Sequence, residues 1–322
     1  TATVIVGACA GGAATQAPSA SPTGGAPSAS GSTEPSTAAS PSPEPASVKF
    51  TLNFLAGGPQ AGFMLAKKLG YYDEVGLDVT IQEGQGSAST ATLVATGQTD
   101  FGFADAPSAM GIRAKEGKVK IIGPILQTNG FSVMSLQETG ITKVSQLVGK
   151  KVGVQPGTAQ VALLDALFKG NGIDPAQVEL VNIDPAALVG SLLQKQVDAI
   201  LGGADFQAIQ LQDRGVKINQ QYYRDSGVPT VGLSIIAKDE FLAENPDVAA
   251  RFVAASLRGW DAARQDPAAA AKAVVEQFVS GDEAQILAQL KVDLEFICAP
   301  GATALGSVPE ANWKTTYDLL TQ

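Results

Sequence analysis

Polar side chains that could hold a ligand are concentrated directly after the predicted strands of this sequence. They are Asp, Gln, Ser and Thr, and neither Lys nor Arg falls at a predicted strand end. Side chains of these types can hydrogen-bond a polar small molecule. Their carboxylates would repel an anion and attract amino or ring N–H donors. The residue types therefore predict a site for a neutral or weakly basic molecule.

The sequence offers little for catalysis. None of its 322 residues is histidine, which excludes Ser-His-Asp and Cys-His nucleophile systems and any zinc or haem site that relies on imidazole. A paired-carboxylate signature for catalysis by acids alone is also missing. An enzyme is therefore the class that these residues favour least, and we expect no metal and no cofactor.

The charge of the chain limits its partners. Its 22 Lys and Arg residues are outnumbered by 31 Asp and Glu residues, which gives a net charge of -9. A negative field of this kind repels phosphates, so a nucleic-acid partner is not expected. The hydrophobic fraction of 45% is enough to fill the core of one large or two medium domains.

Short apolar strands alternate with helical segments from Val48 onward, which predicts an α/β fold with largely parallel sheets. The alternation occurs in two blocks, and two apolar stretches, 131–136 and 231–237, are predicted to cross between them as hinge strands. We expect residues 48–133 and 232–322 to form the first lobe and residues 134–231 to form a second, inserted lobe.

The carboxyl ends of these strands predict the ligand site, because ligands of open α/β sheets lie at that edge. The first lobe is expected to contribute Phe54, Gly57, Gly58, Gln60, Gly86, Ser87, Ser89, Asp105 and Gln127, and the second Gln155, Gly157, Thr158, Asp184, Gly203 and Asp205.

Each of these positions also has a structural interpretation. Glycines at strand ends often serve only in turns, and Ser87 and Ser89 could be helix N-caps. Asp184 and Asp205 could also cap the helices that follow them, and a cap at Asp105 would suit the nearby Pro107. Residue types alone leave these alternatives open.

The N-terminal part of the chain differs from the rest. In residues 1–9 small residues precede Cys9, as in the lipobox of a bacterial lipoprotein signal, although a chance cysteine in an Ala/Gly-rich stretch is the alternative. Residues 10–47 consist almost entirely of Ala, Ser, Thr, Gly and Pro. Such a segment buries too little apolar area to offset its ordering entropy, so we expect a disordered tether behind a lipidated Cys9.

Three segments, in order, resemble the solute-binding proteins of bacterial ABC importers, in the family that binds sulfonates, taurine, nitrate and thiamine-pyrimidine precursors. The segments are AGFMLAKKLGYYDEVGLDVTIQEGQGSASTATLVATGQTDFGFAD (61–105), TKVSQLVGKKVGVQPGT (142–158) and LLQKQVDAILGG (192–203). The resemblance implies a two-lobed, type II periplasmic-binding-protein-like clamshell that closes on a small molecule. It also implies delivery to an ABC permease and its ATPase, an extracytoplasmic location with Cys9 as the membrane anchor, and a monomer.

The ligand within this family is predicted from charge. The acidic strand ends favour a nitrogen heterocycle, such as a thiamine-precursor pyrimidine or a larger flavin. An aliphatic sulfonate, taurine or nitrate is the alternative, since backbone N–H groups and helix dipoles alone can hold an anion. A sensory binding module without a transporter is a second alternative. Eukaryotic pyrimidine synthases of this fold consume one of their own histidines, and the resemblance therefore implies that this chain cannot perform that reaction.

Overall fold

The computed structural model describes residues 44–278, 281–298 and 303–321. The predicted lipobox with Cys9 and nearly all of the predicted tether lie outside these residues. The first strand begins at Ala46, so it includes the last two residues that were assigned to the tether.

The described residues form ten strands and twelve α-helices. The strands are β1 (Ala46–Thr51), β2 (Leu77–Gln82), β3 (Phe101–Asp105), β4 (Val119–Pro124), β5 (Phe131–Leu136), β6 (Lys151–Val154), β7 (Glu179–Asn182), β8 (Ala199–Gly203), β9 (Ile218–Tyr222) and β10 (Leu233–Lys238). The helices are α1 (Ala61–Lys68), α2 (Ser87–Ala95), α3 (Ala106–Ala114), α4 (Ala159–Ala162), α5 (Leu164–Gly170), α6 (Pro185–Leu193), α7 (Gln207–Asp213), α8 (Asp239–Glu244), α9 (Pro246–Gln265), α10 (Pro267–Gln277), α11 (Glu283–Asp293) and α12 (Glu310–Thr321).

The strands form two five-stranded mixed sheets, one in each lobe. The lobe 1 sheet has the order β2-β1-β3-β10-β4, and the lobe 2 sheet has the order β7-β6-β8-β5-β9. In lobe 1, β1 is parallel to β2 and β3, whereas β10 is antiparallel to both of its neighbours. Lobe 2 repeats this pattern, with β6 parallel to its neighbours and β5 antiparallel to its own. The two-lobed α/β clamshell expected from the sequence is confirmed.

The chain crosses between the lobes in segments 125–130 and 223–232. The two stretches predicted to cross instead correspond closely to β5 and β10, and each of these strands pairs within a single sheet. The crossing segments bond to each other, because Leu126 N donates to Leu233 O (2.9 Å) and Gly232 N donates to Leu126 O (3.0 Å). The connection between the lobes is therefore a pair of segments that bond to each other, the second of which begins with a short 3-10 helix, Arg224–Ser226.

Asn129 joins the two crossing segments through its buried side chain. Its Nδ2 donates to Val228 O (3.0 Å) and to Thr230 Oγ1 (2.9 Å), while its Oδ1 accepts from Phe131 N (3.2 Å). Both ends of the amide are thus used within the hinge. Asn129 is therefore one of the main structural links of the hinge.

The core of lobe 1 contains most of the few aromatic residues of the chain. Phe101 and Phe252 stack with ring centroids 4.2 Å apart, and Phe63 meets Phe50 and Phe103 edge-on, each at 4.8 Å. Helices α9 to α11 and α1 cover the same face of the sheet, and Trp260 of α9 is fully buried there. A Cβ atom on Gly62 would overlap the Trp260 ring. The small residue therefore allows α1 and α9 to pack closely.

The last helix connects the lobes. Helix α12 packs against α3 of lobe 1, while its Leu319 and Leu320 pack against the lobe 2 core. Thr316 of this helix is buried, and its Oγ1 accepts a hydrogen bond from Val231 N of the second crossing segment (2.9 Å). None of the helices in the described ranges has both the length and the apolar character needed to cross a bilayer.

We predict that Asn129→Ala destabilises the protein by about 2–3 kcal/mol, because several buried polar groups lose their partner together. The measurement is the free energy of unfolding from urea denaturation. Asn182→Ala, an exposed position at the end of β7, serves as the control and should change stability by less than about 0.5 kcal/mol. A loss at Asn129 no larger than that of the control would contradict the assigned hinge role.

Candidate functional site

A cavity of about 130 Å³ lies between the two lobes, at the edge where the parallel strands of both sheets end. Its walls come from the loops after β1, β3, β6 and β8, from the start of α2, from the first crossing segment, and from the end of α11. Since both lobes contribute to one cavity, a bound molecule would contact each of them.

The loop after β1 is held in shape by Gln60. The Gln60 Oε1 atom accepts from Gly57 N (2.9 Å), and its Nε2 donates to Asn53 Oδ1 (2.7 Å). Gly58 N donates to Gln289 Oε1 of α11 (3.1 Å). Gln60 is therefore a residue that organises the wall, and Asn53 is the polar side chain that it orients.

Asp105 ends β3 and is buried in the cavity wall. It occupies the N-cap position of α3, but its carboxylate makes no capping hydrogen bond. Its Oδ2 instead accepts from Ser87 Oγ (2.9 Å), and Ser87 Oγ in turn accepts from Asp105 N (3.1 Å). The cap interpretation is thus excluded for Asp105. Ser87, the first residue of α2, serves to orient this carboxylate.

Burial raises the pKa of Asp105 to about 7, although the hydrogen bond from Ser87 opposes this shift and the charge of Asp205 adds to it. Asp205 lies in lobe 2, after β8, and is half-buried. Loss of solvation raises the pKa of Asp205 to about 6. The two carboxyls thus face one cavity from opposite lobes.

The loop after β8 places Asp205 by close packing. A Cβ atom on Gly203 would overlap the Asp205 carboxylate in this position, so a larger residue there would displace the carboxylate. Gly203 N donates to Gln207 Oε1 (2.8 Å), which fixes the turn into α7. Helix α7 has Phe206 at its N-cap position, so Asp205 is not the cap residue of this helix.

A third carboxyl, Asp293, enters the cavity from the end of α11. It is only 1% exposed, and its Oδ2 has no hydrogen-bond partner among the described residues. Burial and, to a smaller extent, the charge of Asp205 raise its pKa well above the usual range. Sequence reasoning missed this residue because it ends a helix, whereas the prediction considered only strand ends.

Phenylalanine rings form the apolar part of the site. Phe54 of lobe 1 and Phe206 of lobe 2 meet edge-on across the cavity, with centroids 6.0 Å apart. Phe131 and Phe296 also line it. Of these four rings only Phe54 was predicted. Tyr222 packs against Phe296, and the Arg224 guanidinium lies 4.7 Å from the centroids of both rings.

The structure brings together ten of the fifteen predicted positions as lining residues of the cavity. They are Phe54, Gly57, Gln60, Gly86, Ser87, Asp105, Gln155, Thr158, Gly203 and Asp205. Whether these residues contact a ligand stays a prediction.

Five predicted positions lie outside the cavity lining. Ser89, Gly157 and Asp184 are exposed, and Asp184 precedes α6 without a side-chain capping bond. Gly58 is buried behind the wall, with its N–H bonded to Gln289. Gln127 is buried, and its Nε2 donates to Ala304 O (2.9 Å). The strand-end rule selects residues at the correct edge, but it does not distinguish side chains that face inward from those that face solvent.

The polar lining is acidic and amide-rich. It contains Asp105, Asp205 and Asp293 together with Asn, Gln, Ser and Thr, and no Lys or Arg occurs in the described lining. Among the described residues, His, Cys, Asp and Glu form no group that could hold a metal ion. The site can therefore accept hydrogen bonds from N–H groups and attract positive charge.

The fold and the cavity between the lobes define this chain as a protein of the periplasmic-binding-protein fold. The periplasmic aliphatic sulphonate binding protein SsuA of Escherichia coli is similar, with a TM-score of 0.69 at 14% identity over 86% of this chain and 91% of that one. The model of a protein family described as NMT1/THI5 like matches residues 59–270. The chain belongs to the NMT1/THI5-like family, as the sequence motifs had suggested.

Some relatives of this chain are named as binding proteins and others as enzymes. A protein of Brucella abortus named as a binding protein is 26% identical over 233 residues, which cover 70% of each chain. The 4-amino-5-hydroxymethyl-2-methylpyrimidine phosphate synthase of Aspergillus parasiticus is 26% identical over 241 residues, covering 71% of this chain and 70% of its own. The family thus includes proteins named as binders and proteins named as enzymes.

We predict that the free energy of unfolding falls as the pH rises from about 4 to 7.5, and that Asp105→Asn removes about 2–4 kcal/mol of this fall. The sign follows from the raised pKa: the folded state keeps the proton on Asp105 up to about pH 7. The unfolded carboxyl loses its proton near pH 4. Between these values the unfolded state alone is ionised, so stability is lost with rising pH.

The measurement is a series of urea titrations across this pH range. Asp213→Asn, at an exposed carboxyl ending α7, is the matched control and should reproduce the wild-type profile. A profile for Asp105→Asn that parallels the wild type would show that this carboxyl does not carry the dependence.

Proposed function

We propose that this protein is the extracytoplasmic solute-binding component of an ABC importer. In this proposal a small molecule binds between the lobes, and the closed form delivers it to a permease driven by an ATPase. Membership of the NMT1/THI5-like family and the cavity shared by both lobes support this role. Closure would turn on the two crossing segments, the hinge expected of a two-lobed binding protein.

The proposed ligand is a nitrogen heterocycle with N–H donors, of which an aminopyrimidine is the best example and a flavin a larger one. The observation that carries this proposal is the lining, with three carboxyls and no cationic side chain among the described residues. Amino and ring N–H groups can donate to these carboxyls and to Asn53. The rings of Phe54 and Phe206 provide faces and edges for a flat aromatic molecule.

An anionic ligand fits this site poorly. Sulfonates and nitrate need positive charge or free N–H donors, and the N-terminus of α2 is the natural candidate for such a role. Here the first residue of that helix, Ser87, donates its hydroxyl to Asp105. The Asp105 carboxyl thus already occupies the end of the helix dipole that an anion would need.

We also propose that the chain binds without catalysis. Its relative from Aspergillus parasiticus is named as a synthase, but this chain contains no histidine that such chemistry could consume. The carboxyls of the cavity are placed for recognition, since Asp105 is held by Ser87 rather than by a second acid. Product formation from any bound pyrimidine would contradict this part of the proposal.

A ligand screen tests the proposal. We expect aminopyrimidines or flavins to raise the thermal unfolding temperature, because a ligand that binds only the folded state stabilises it. Taurine, alkanesulfonates and nitrate should leave it unchanged. Stabilisation by the anions alone would overturn the heterocycle assignment, and neighbouring permease and ATPase genes would separate an importer component from a sensory module.

A pair of variants links the stabilisation to the cavity. Phe54→Ala should weaken binding of the selected compound at least about tenfold, since it removes an aromatic wall of the site. Leu69→Ala, which truncates an exposed apolar side chain just beyond α1, should not change the affinity. Equal affinities in the two variants would place the ligand elsewhere.

Lipid attachment at Cys9 is a separate proposal for how the protein stays at a membrane. We expect the mature native protein to begin at Cys9 and to carry a diacylglycerol thioether, which intact-mass spectrometry detects. Cys298, the second of the two cysteines of the chain, is disulfide-bonded, so the intact mass should be measured before and after reduction. A mass that shows residues upstream of Cys9, or a disulfide between Cys9 and Cys298, would exclude acylation at this thiol.

A further inference from the structure

We propose that the ligand is bound as an organic cation and that Asp293, at the end of α11, determines this preference together with Asp205 of the opposite lobe. The inference rests on the proposed function, because it names the charge of the molecule that enters the same cavity. It assigns a specificity role to a residue that no strand-end rule selects.

The first observation is the unused carboxylate oxygen of Asp293. The residue is 1% exposed and lines the cavity, yet its Oδ2 has no hydrogen-bond partner among the described residues. A buried acceptor without a partner costs free energy, and a buried charge costs more. Asp105 shows the contrast, since its Oδ2 accepts from Ser87 at 2.9 Å. Asp293 is therefore a buried cavity carboxyl with an acceptor oxygen that no described residue uses.

The second observation is that the described protein supplies no cation to the cavity. Neither Lys nor Arg occurs among the described lining residues, and the chain has no His. Asp205, which faces Asp293 from lobe 2, carries a like charge. In an empty site the charge of Asp205 opposes ionisation of Asp293, whereas a cation between them would stabilise both carboxylates. The missing positive charge must then come from the ligand.

The shape of the site indicates what kind of cation fits. The carboxyls come from separate elements, and within the described part of the chain they form no group that could hold a metal ion. A molecule with N–H donors at more than one position can reach both walls. The rings of Phe54 and Phe206 line the same cavity and can pack against a cationic aromatic ring. The class is therefore a heteroaromatic molecule with a protonated amino or amidine group.

One consequence can be measured without any ligand. If Asp293 is kept for binding at a cost to the free protein, Asp293→Asn should raise the thermal unfolding temperature at pH 7.5 by about 3 °C or more. The matched control is Asp198→Asn, because Asp198 is a carboxyl whose Oδ2 accepts from Lys151 N (2.9 Å). We expect the control to lower the unfolding temperature. A fall for Asp293→Asn as well would show that Asp293 has a structural role, and would overturn the inference.

The second experiment compares isosteric pairs that differ only in charge at pH 7.5. The probes are 4-amino-5-hydroxymethyl-2-methylpyrimidine and its 5-aminomethyl analogue, with 3-pyridylmethanol and 3-pyridylmethylamine as a second pair. Calorimetric titration of the wild-type protein should show at least about tenfold tighter binding of each amine than of its alcohol. Asp293→Asn should abolish this preference, whereas Asp213→Asn, an exposed carboxyl outside the cavity, should retain it.

The outcomes separate this inference from the proposed function. If the alcohols bind as tightly as the amines, the heterocycle proposal stands and the cation inference fails. If the amines bind more tightly than the alcohols but Asp293→Asn retains the full preference, Asp293 does not determine the charge preference and the inference also fails. If only taurine or sulfonates bind, both proposals fail. A preference for amines that disappears in Asp293→Asn, together with a more stable free variant, supports the inference.

Discussion

The arrangement of this protein depends on burying carboxyl groups between two lobes with no cationic side chain in the described cavity lining. Asp105 and Asp293 face the cavity from lobe 1 and Asp205 faces it from lobe 2. Desolvation raises the pKa of all three, and the charge of Asp205 adds to the shift in the other two. Such an arrangement is costly in an empty protein. In the proposed function, a positively charged or N–H-rich ligand offsets this free-energy cost by pairing with the carboxyls.

The hinge explains how these groups come to face one another. Each sheet contains one antiparallel strand, β5 or β10, at the point where the chain has just crossed from the other lobe. The crossing segments bond to each other through their backbones and through Asn129. Helix α12 supports one of them through Thr316. The lobes are thus linked beside the cavity, and the carboxyl ends of both sheets point toward the same space.

The fold and part of the candidate site were accessible from the sequence because they depend on local patterns. Alternating apolar strands and helices predicted both sheets, and strand ends located Asp105 and Asp205 in the cavity wall. The contribution of α11 was not accessible in this way. Gln289 reaches Gly58 across 231 positions of sequence, and Asp293 lies near Asp205 only because α11 packs beside the cavity. No local period or motif indicates contacts of that range.

The same limitation applies to the roles of individual acids. Asp100 and Asp198 each precede a central strand, and each accepts from the backbone N–H of a neighbouring strand, Lys49 N (2.8 Å) or Lys151 N (2.9 Å). They resemble each other in the two lobes and serve to fix the strands. Asp105 ends the strand that follows Asp100, and Asp205 comes shortly after the strand that follows Asp198. Both of these carboxyls nevertheless face the cavity. In sequence all four are aspartates beside apolar strands. The structural pair differs from the cavity pair in that a backbone N–H of a neighbouring strand donates to each of its carboxyls, whereas the carboxyls of Asp105 and Asp205 lie in the cavity wall.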